Sequence, residues 1–175
     1  MMLRLGVLLA VGAMLTGCVS DQVGTDFATV SRKVGPPRAG ESRVVFLQDK
    51  RQGLSMAICG CQVKLDGAPL GTVVAGKYAY ADRPAGRHEV LLTEALFPGD
   101  TKREIVMESG RTHFYLIKSS ARHDATTGGA ILGGLAGLAV VSVATAGETN
   151  RGPGELVALD EATARTKLAE LQAVD

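Results

Sequence analysis

Short apolar runs divided by turn residues fill the middle of the chain. Arg43-Val44-Val45-Phe46-Leu47-Gln48 is β-branched and aromatic, and too short for a typical helix. Ser55 to Leu65 alternates, with Val63 and Leu65 on one face, and Asp66-Gly67 follows as a tight hairpin turn would. Leu70 to Ala81 is a further strand pattern, broken at Gly76. Pro84-Ala85-Gly86 marks a turn, and Arg87 to Glu94 alternates through His88, Val90 and Leu92. Phe97-Pro98-Gly99-Asp100 turns the chain again. Arg103 to Met107 and Thr112 to Lys118 complete the set, joined by Ser109-Gly110. Short strands at this spacing predict an antiparallel sandwich or small barrel.

The flanks follow other patterns. Ser20 to Ser42 holds Gly24, Gly35, Pro36, Pro37 and Gly40 with no sustained period, and is expected to be a tether with at most a short ordered piece at Phe27 to Val30. Ala125 to Gly147 carries no charge and is rich in Gly and Ala. Gly129, Gly133 and Gly137 recur every four residues, which on a helix lines one ridge open to close approach by another helix. About twenty such residues reach across a hydrocarbon core. Three readings stand: a helix or hairpin packed on the domain, a membrane-inserted or self-associating glycine zipper, or a mobile loop. After a polar break at Glu148 to Gly154, Leu156 to Leu159 suggests an extra strand. Asp160 is placed to cap a helix from Glu161 to about Ala173, with Ala164, Leu168 and Leu171 as its apolar stripe.

The extreme N-terminal region has a third character. Arg4 precedes an uncharged apolar run, Leu5 to Leu15, as in a secretory signal. Leu15-Thr16-Gly17-Cys18 resembles the lipobox of bacterial lipoproteins. That resemblance implies cleavage before Cys18, a diacylglycerol on its thiol and acylation of the new amino terminus. Stable anchoring needs more than one acyl chain, and a triacylated Cys18 meets that condition. Val19, where an Asp favours inner-membrane retention in such lipoproteins, implies the outer membrane of a Gram-negative envelope, facing the periplasm.

Charge and cysteine content narrow the remaining choices. Nineteen basic residues nearly balance eighteen acidic ones, so no global field recruits nucleic acid. With no Trp and few aromatics, the core must be mostly Val, Leu, Ile and Ala. Once Cys18 is assigned to lipid, only Cys59 and Cys61 remain, too few for a disulfide framework. Cys59-Gly60-Cys61 has three readings: two small residues half-buried in a sheet, a local disulfide allowed by a turn at Gly60, or half a metal site. No Cys or His lies at a paired spacing to complete a metal set, and no cofactor is implied. His88, His113 and His123 are scattered and far from any Gly-x-Ser-x-Gly elbow. Gly133-Gly134 is followed by Leu135-Ala136, not the Lys and Ser/Thr of a phosphate loop.

Three blocks carry a family resemblance: Arg43 to Phe46; Val63-Lys64-Leu65-Asp66-Gly67 through Gly71 and Gly76-Lys77-Tyr78 to Pro84-Ala85-Gly86-Arg87-His88-Glu89-Val90; and Glu108 to Tyr115. The region resembles the uncharacterised bacterial lipoproteins with domain of unknown function 2846, and more loosely PEGA-type and carboxypeptidase-regulatory-like sandwiches. The resemblance implies a fold but transfers no catalytic residue. The expected architecture is mainly β: a small antiparallel β-sandwich with a Gly-rich apolar segment and a C-terminal helix, preceded by a lipoprotein signal peptide. The expected divisions are signal peptide 1–17, lipidated cysteine and tether 18–42, sandwich 43–120, Gly-rich segment 125–147 and terminal strand and helix 155–174. The expected function is a membrane-anchored cell-envelope lipoprotein acting as a non-enzymatic binding or structural module, with membrane lipid through acylated Cys18 and an envelope protein or a second copy as the expected partners. The alternative is a glycine-zipper protein that self-associates in or on the membrane.

Overall fold

The apolar run at residues 44–47 becomes the central strand of a sheet that is covered on both faces. The structure is a computed structural model that describes residues 26–50, 60–144 and 151–174. Nine strands are described: β1 (Glu41–Leu47), β2 (Cys61–Leu65), β3 (Ala68–Val73), β4 (Lys77–Pro84), β5 (Gly86–Thr93), β6 (Thr101–Met107), β7 (Thr112–Ser119), β8 (Gly154–Leu159) and β9 (Gln172–Ala173). They form a five-stranded sheet ordered β8-β7-β1-β4-β9 and a four-stranded sheet ordered β3-β2-β5-β6. Helices α1 (Phe27–Val34) and α3 (Glu161–Leu168) pack on the five-stranded sheet, and α2 (Ala121–Ala144) follows β7.

The alternation of strand side chains explains the layers. Val44 and Phe46 of β1 join Val63, Leu65, Val73, Val90, Leu92, Ile105 and Met107 between the two sheets. Val45 and Leu47 join Tyr78, Phe114 and Leu116 on the opposite face, where Phe27 and Val30 of α1 and Ala164 and Leu168 of α3 cover them. A strand buried on both sides has no polar face to alternate with, hence its continuous apolar stretch. The four-stranded sheet has only one covered face, and its strands alternate visibly in sequence.

The sandwich is mixed rather than purely antiparallel. β1 pairs antiparallel with β4 but parallel with β7, and β9 runs parallel to β4. Two of the expected turns are therefore crossings: Pro84-Ala85-Gly86 leads from β4 in one sheet to β5 in the other, and Ser109-Gly110 leads from β6 to β7. Asp66-Gly67 is a true two-residue hairpin turn, with φ of 51° and 77°. Positive φ at both central positions matches strand twist and favours Asp-Gly.

The expected tether is shorter than 18–42. Asp26 caps α1 by accepting from Thr29 N at 2.9 Å, and Phe27 and Val30 are buried. Phe27 makes edge contacts with Tyr78 and Phe114 at 5.6 and 6.0 Å between ring centres. Two docking side chains in one short helix give too few repeats to show as a period. Residues 18–25 lie outside the described residues. At the other terminus, Asp160 caps α3 through Thr163 N at 2.9 Å, and Ala164, Leu168 and Leu171 are buried as the stripe requires. The helix ends at Leu168, before the expected Ala173, because residues 172–173 pair with the edge of β4 instead. β8, α3 and β9 are thus parts of the sandwich, which extends beyond 43–120.

One buried charge ties the layers together. Arg43 on β1 is 3% exposed and holds Asp82 of β4 through two bonds of 2.6 and 2.7 Å. Its third arm donates to Gly35 O at the end of α1, 2.8 Å away, and its guanidinium lies over the Tyr80 ring. Removing one partner of a buried pair leaves the other charge uncompensated. Asp82→Ala is expected to lower the unfolding free energy by about 3 kcal/mol, read as a lower urea midpoint with an unchanged slope. Arg43→Met with Asp82→Leu should cost much less than Asp82→Ala alone.

Candidate functional site

Strand register defines two ends of the sandwich. Leu47, Tyr78, Ser119 and Gly154 mark one end, from which α2 departs. The hairpin at Asp66-Gly67, the β4–β5 crossing and Gly110 mark the other, the turn end. Each end carries a polar constellation built around a histidine.

At the turn end His88 is clamped between two acceptors. Its Nδ1 lies 2.6 Å from Asp66 Oδ2 and its Nε2 lies 2.8 Å from Pro84 O. Each ring nitrogen thus faces an oxygen acceptor. Asp66 also accepts from Glu89 N at 3.0 Å. Burial acts to raise the Asp66 carboxyl, but the hydrogen bonds from His88 and Glu89 N and the charges of His88 and Arg83 outweigh it and hold the group below the usual aspartate range. The latch joins the β2–β3 hairpin to the crossing between sheets.

At the α2 end His123 is buried at 6% exposure, not placed in a polar connector as its neighbours in sequence suggest. Its Nε2 meets Glu94 Oε2 at 2.9 Å, and its ring lies 5.4 Å from that of Phe97. Its backbone N–H donates to Ser120 Oγ at 3.0 Å. Arg122 donates to Arg151 O at 2.7 Å and sits over Phe97. Thr101 donates its hydroxyl proton to Gly154 O, and Ser120 to Gly152 O. The cluster binds the first turns of α2 to the β5–β6 and α2–β8 connections. Its constituents are far apart in sequence, so no local motif announces it.

A groove of about 570 Å³ opens at the turn end beside Glu108, Arg111, His113, Tyr115, Asp160 and Glu161. Its charged groups are engaged with neighbours: Glu108 with Arg111 at 2.5 Å, Asp160 with Thr163, and Glu161 with Arg165 at 2.8 Å. His113 Nε2 accepts from Glu108 N at 2.9 Å, which places the ring proton on Nδ1 if the ring is neutral. Burial raises the Tyr115 hydroxyl above its ordinary value. Among the described residues, no group of three or more His, Cys, Asp or Glu side chains is arranged to hold a metal. The groove offers shape and paired charge.

The sequence candidates divide as follows. Leu15, Thr16, Gly17, Cys18 and Cys59 lie outside the described residues. Cys61 is fully buried in the core rather than half-buried, and its sulfur is in a disulfide whose partner is not among the described residues. The glycines of α2 do not line one ridge. The helix breaks at Gly134, with φ 57° and ψ −143°. A β-carbon on Gly137 would collide with the Gly129 carbonyl, while nothing lies near Gly133. The two arms fold back on each other, and the glycine spacing serves a contact within the chain. Among the described residues no helix is long and apolar enough to cross a membrane.

A family model described as "Protein of unknown function (DUF2846)" matches residues 38–130, just over half of the chain. The chain belongs to the DUF2846 family. No curated protein matches it. The DUF2846 match spans β1 to β7 and the first arm of α2, including the Asp66–His88 latch and the Glu94–His123 cluster. Helices α1 and α3 and strands β8 and β9 lie outside it. The family segment therefore contributes nearly all of the core between the sheets, and the flanking elements supply the outer helical layer and both edges of the five-stranded sheet.

Because the folded Asp66 carboxyl titrates below its unfolded counterpart, it stabilises the fold fully above the ordinary value of 3.8. That contribution shrinks as pH falls below 3.8 and is gone below the depressed folded value. Asp66→Asn is expected to lose about 1 kcal/mol at neutral pH, allowing for solvent screening of a half-exposed carboxylate. Urea midpoints measured against pH should show the wild-type and variant curves converging in acid.

Proposed function

We propose that this DUF2846 protein is a lipid-anchored envelope module that binds rather than catalyses. Cys18 carries the acyl chains, and the sandwich presents its turn end and groove to another component of the envelope. The observation that carries the reading is the disulfide at Cys61. Disulfides persist in oxidising compartments and are rare in reducing ones, so a folded state that includes one suits the exported destination implied by Leu15-Thr16-Gly17-Cys18. The groove supports the binding role with an open surface whose charged side chains are already engaged, Glu108 with Arg111, Asp160 with Thr163 and Glu161 with Arg165. Anchoring raises the local concentration at the membrane and so strengthens a weak contact.

The docking of α1 sharpens the geometry. Only residues 18–25 separate Cys18 from the capped start of the helix. Fully extended, those eight residues span at most about 28 Å. The capped start of α1 thereby stays within that reach of the acylated cysteine. Val19 favours the outer membrane of a Gram-negative host.

Mass spectrometry of the membrane-extracted protein is expected to show a chain beginning at Cys18 and bearing acyl groups. Cys18→Ser should accumulate as unlipidated precursor. A soluble species with a free thiol at Cys18, or with residues 1–17 still attached, would overturn the proposal. Crosslinking in intact cells should then recover a partner through residues lining the groove.

A further inference from the structure

We propose that the α2 hairpin is a second membrane contact, dipping into the interfacial layer of the same phospholipid surface that holds the anchor. The inference goes beyond the lipid anchor itself and concerns a different part of the chain. A helix that is apolar on all sides requires a cover. The cluster around His123 holds the base of α2, but further along the first arm and past the bend Ile131 is 54% and Leu135 86% exposed.

Three observations choose lipid over a second copy of the chain. From Ala125 to Ala144 the helix sequence carries no charged residue, which suits an apolar surround on every side. The close-approach surface at Gly137 is already filled by Gly129 of the same chain. The third is position. Phe27 at the start of α1 packs on Tyr78, which pairs with Leu47 at the α2 end, whereas the last residues of α1 lie near Arg43 towards the turn end. The described start of α1, eight positions after Cys18 in sequence at its Asp26 cap, thus lies at the end from which α2 also departs. Leu96, fully exposed in the β5–β6 loop at that end, adds another apolar side chain.

Length sets the depth. From Thr126, the last buried residue of the first arm, to the bend at Gly134 is about 12 Å of helix. That is less than the ~15 Å of hydrocarbon in one leaflet, so the hairpin lodges in one leaflet and does not span. This contact, with the anchor, turns the groove at the opposite end away from the bilayer.

The chain has no Trp, so a single introduced Trp reports its surroundings. Leu135→Trp and Val106→Trp, the latter at an exposed site on the four-stranded sheet, are made in the full chain. Each mature protein is reconstituted into phosphatidylethanolamine–phosphatidylglycerol vesicles with and without brominated acyl chains. The expected result is a blue-shifted Leu135→Trp emission strongly quenched by the brominated lipid, with Val106→Trp unshifted and unquenched. Solvent-like emission from Leu135→Trp in vesicle-bound protein would overturn the proposal. So would a blue shift without quenching, the sign of cover by a second copy, and so would equal quenching of both sites. Failure of the anchor reading is separable: it appears as an unmodified Cys18 mass, and the same quenching measurement then applies to the unacylated chain added to vesicles.

Discussion

The need to bury both faces of β1 governs the architecture. Val44 and Phe46 require the four-stranded sheet on one side, and Val45 and Leu47 require α1 and α3 on the other. A two-layer sandwich would leave the second set in water, at a cost of roughly 1.5–3 kcal/mol for each large side chain. The buried Arg43 fits the same constraint. It reaches across from β1 to Asp82 and to the end of α1, so the charge fixes the angle at which the helical layer meets the sheet.

Legibility followed physical scale. Features set by neighbours in sequence were readable: the Asp66-Gly67 turn, the alternation through Val90 and Leu92, the Asp160 cap, and the stripe of Ala164, Leu168 and Leu171. Features set by distant pairing were not. The parallel partnership of β1 with β7 depends on a crossing between sheets, and a turn motif does not reveal which sheet its second strand joins. The four apolar residues of β1 did contain the clue to a third layer, because an unbroken run signals two covered faces. The glycine spacing in α2 was visible, but Gly129 and Gly137 meet through a bend that a periodic projection cannot contain. Of the candidate site, the histidines were visible as residues and their partners were not, since Asp66 and Glu94 lie 22 and 29 positions away in sequence.

The motifs by which DUF2846 is recognised take on a physical meaning. Asp66-Gly67 and Pro84-Ala85-Gly86-Arg87-His88 are separated in sequence but closed into one unit by the His88 imidazole. They hold a hairpin against a crossing. The Glu94–His123 pair does the same at the other end, where it fastens the foot of α2. In both places a histidine beside a carboxylate joins elements that are distant in sequence.

The bend at Gly134 has a consequence for biogenesis. An exported polypeptide passes a translocation channel in an unfolded state, and a long, strongly helical apolar run would be released sideways into the lipid there. The glycines that permit α2 to double back also weaken its helix propensity, by about 1 kcal/mol each relative to alanine, and dilute its hydrophobicity. On the export route proposed above, the segment is then a poor stop-transfer signal while the chain is in transit.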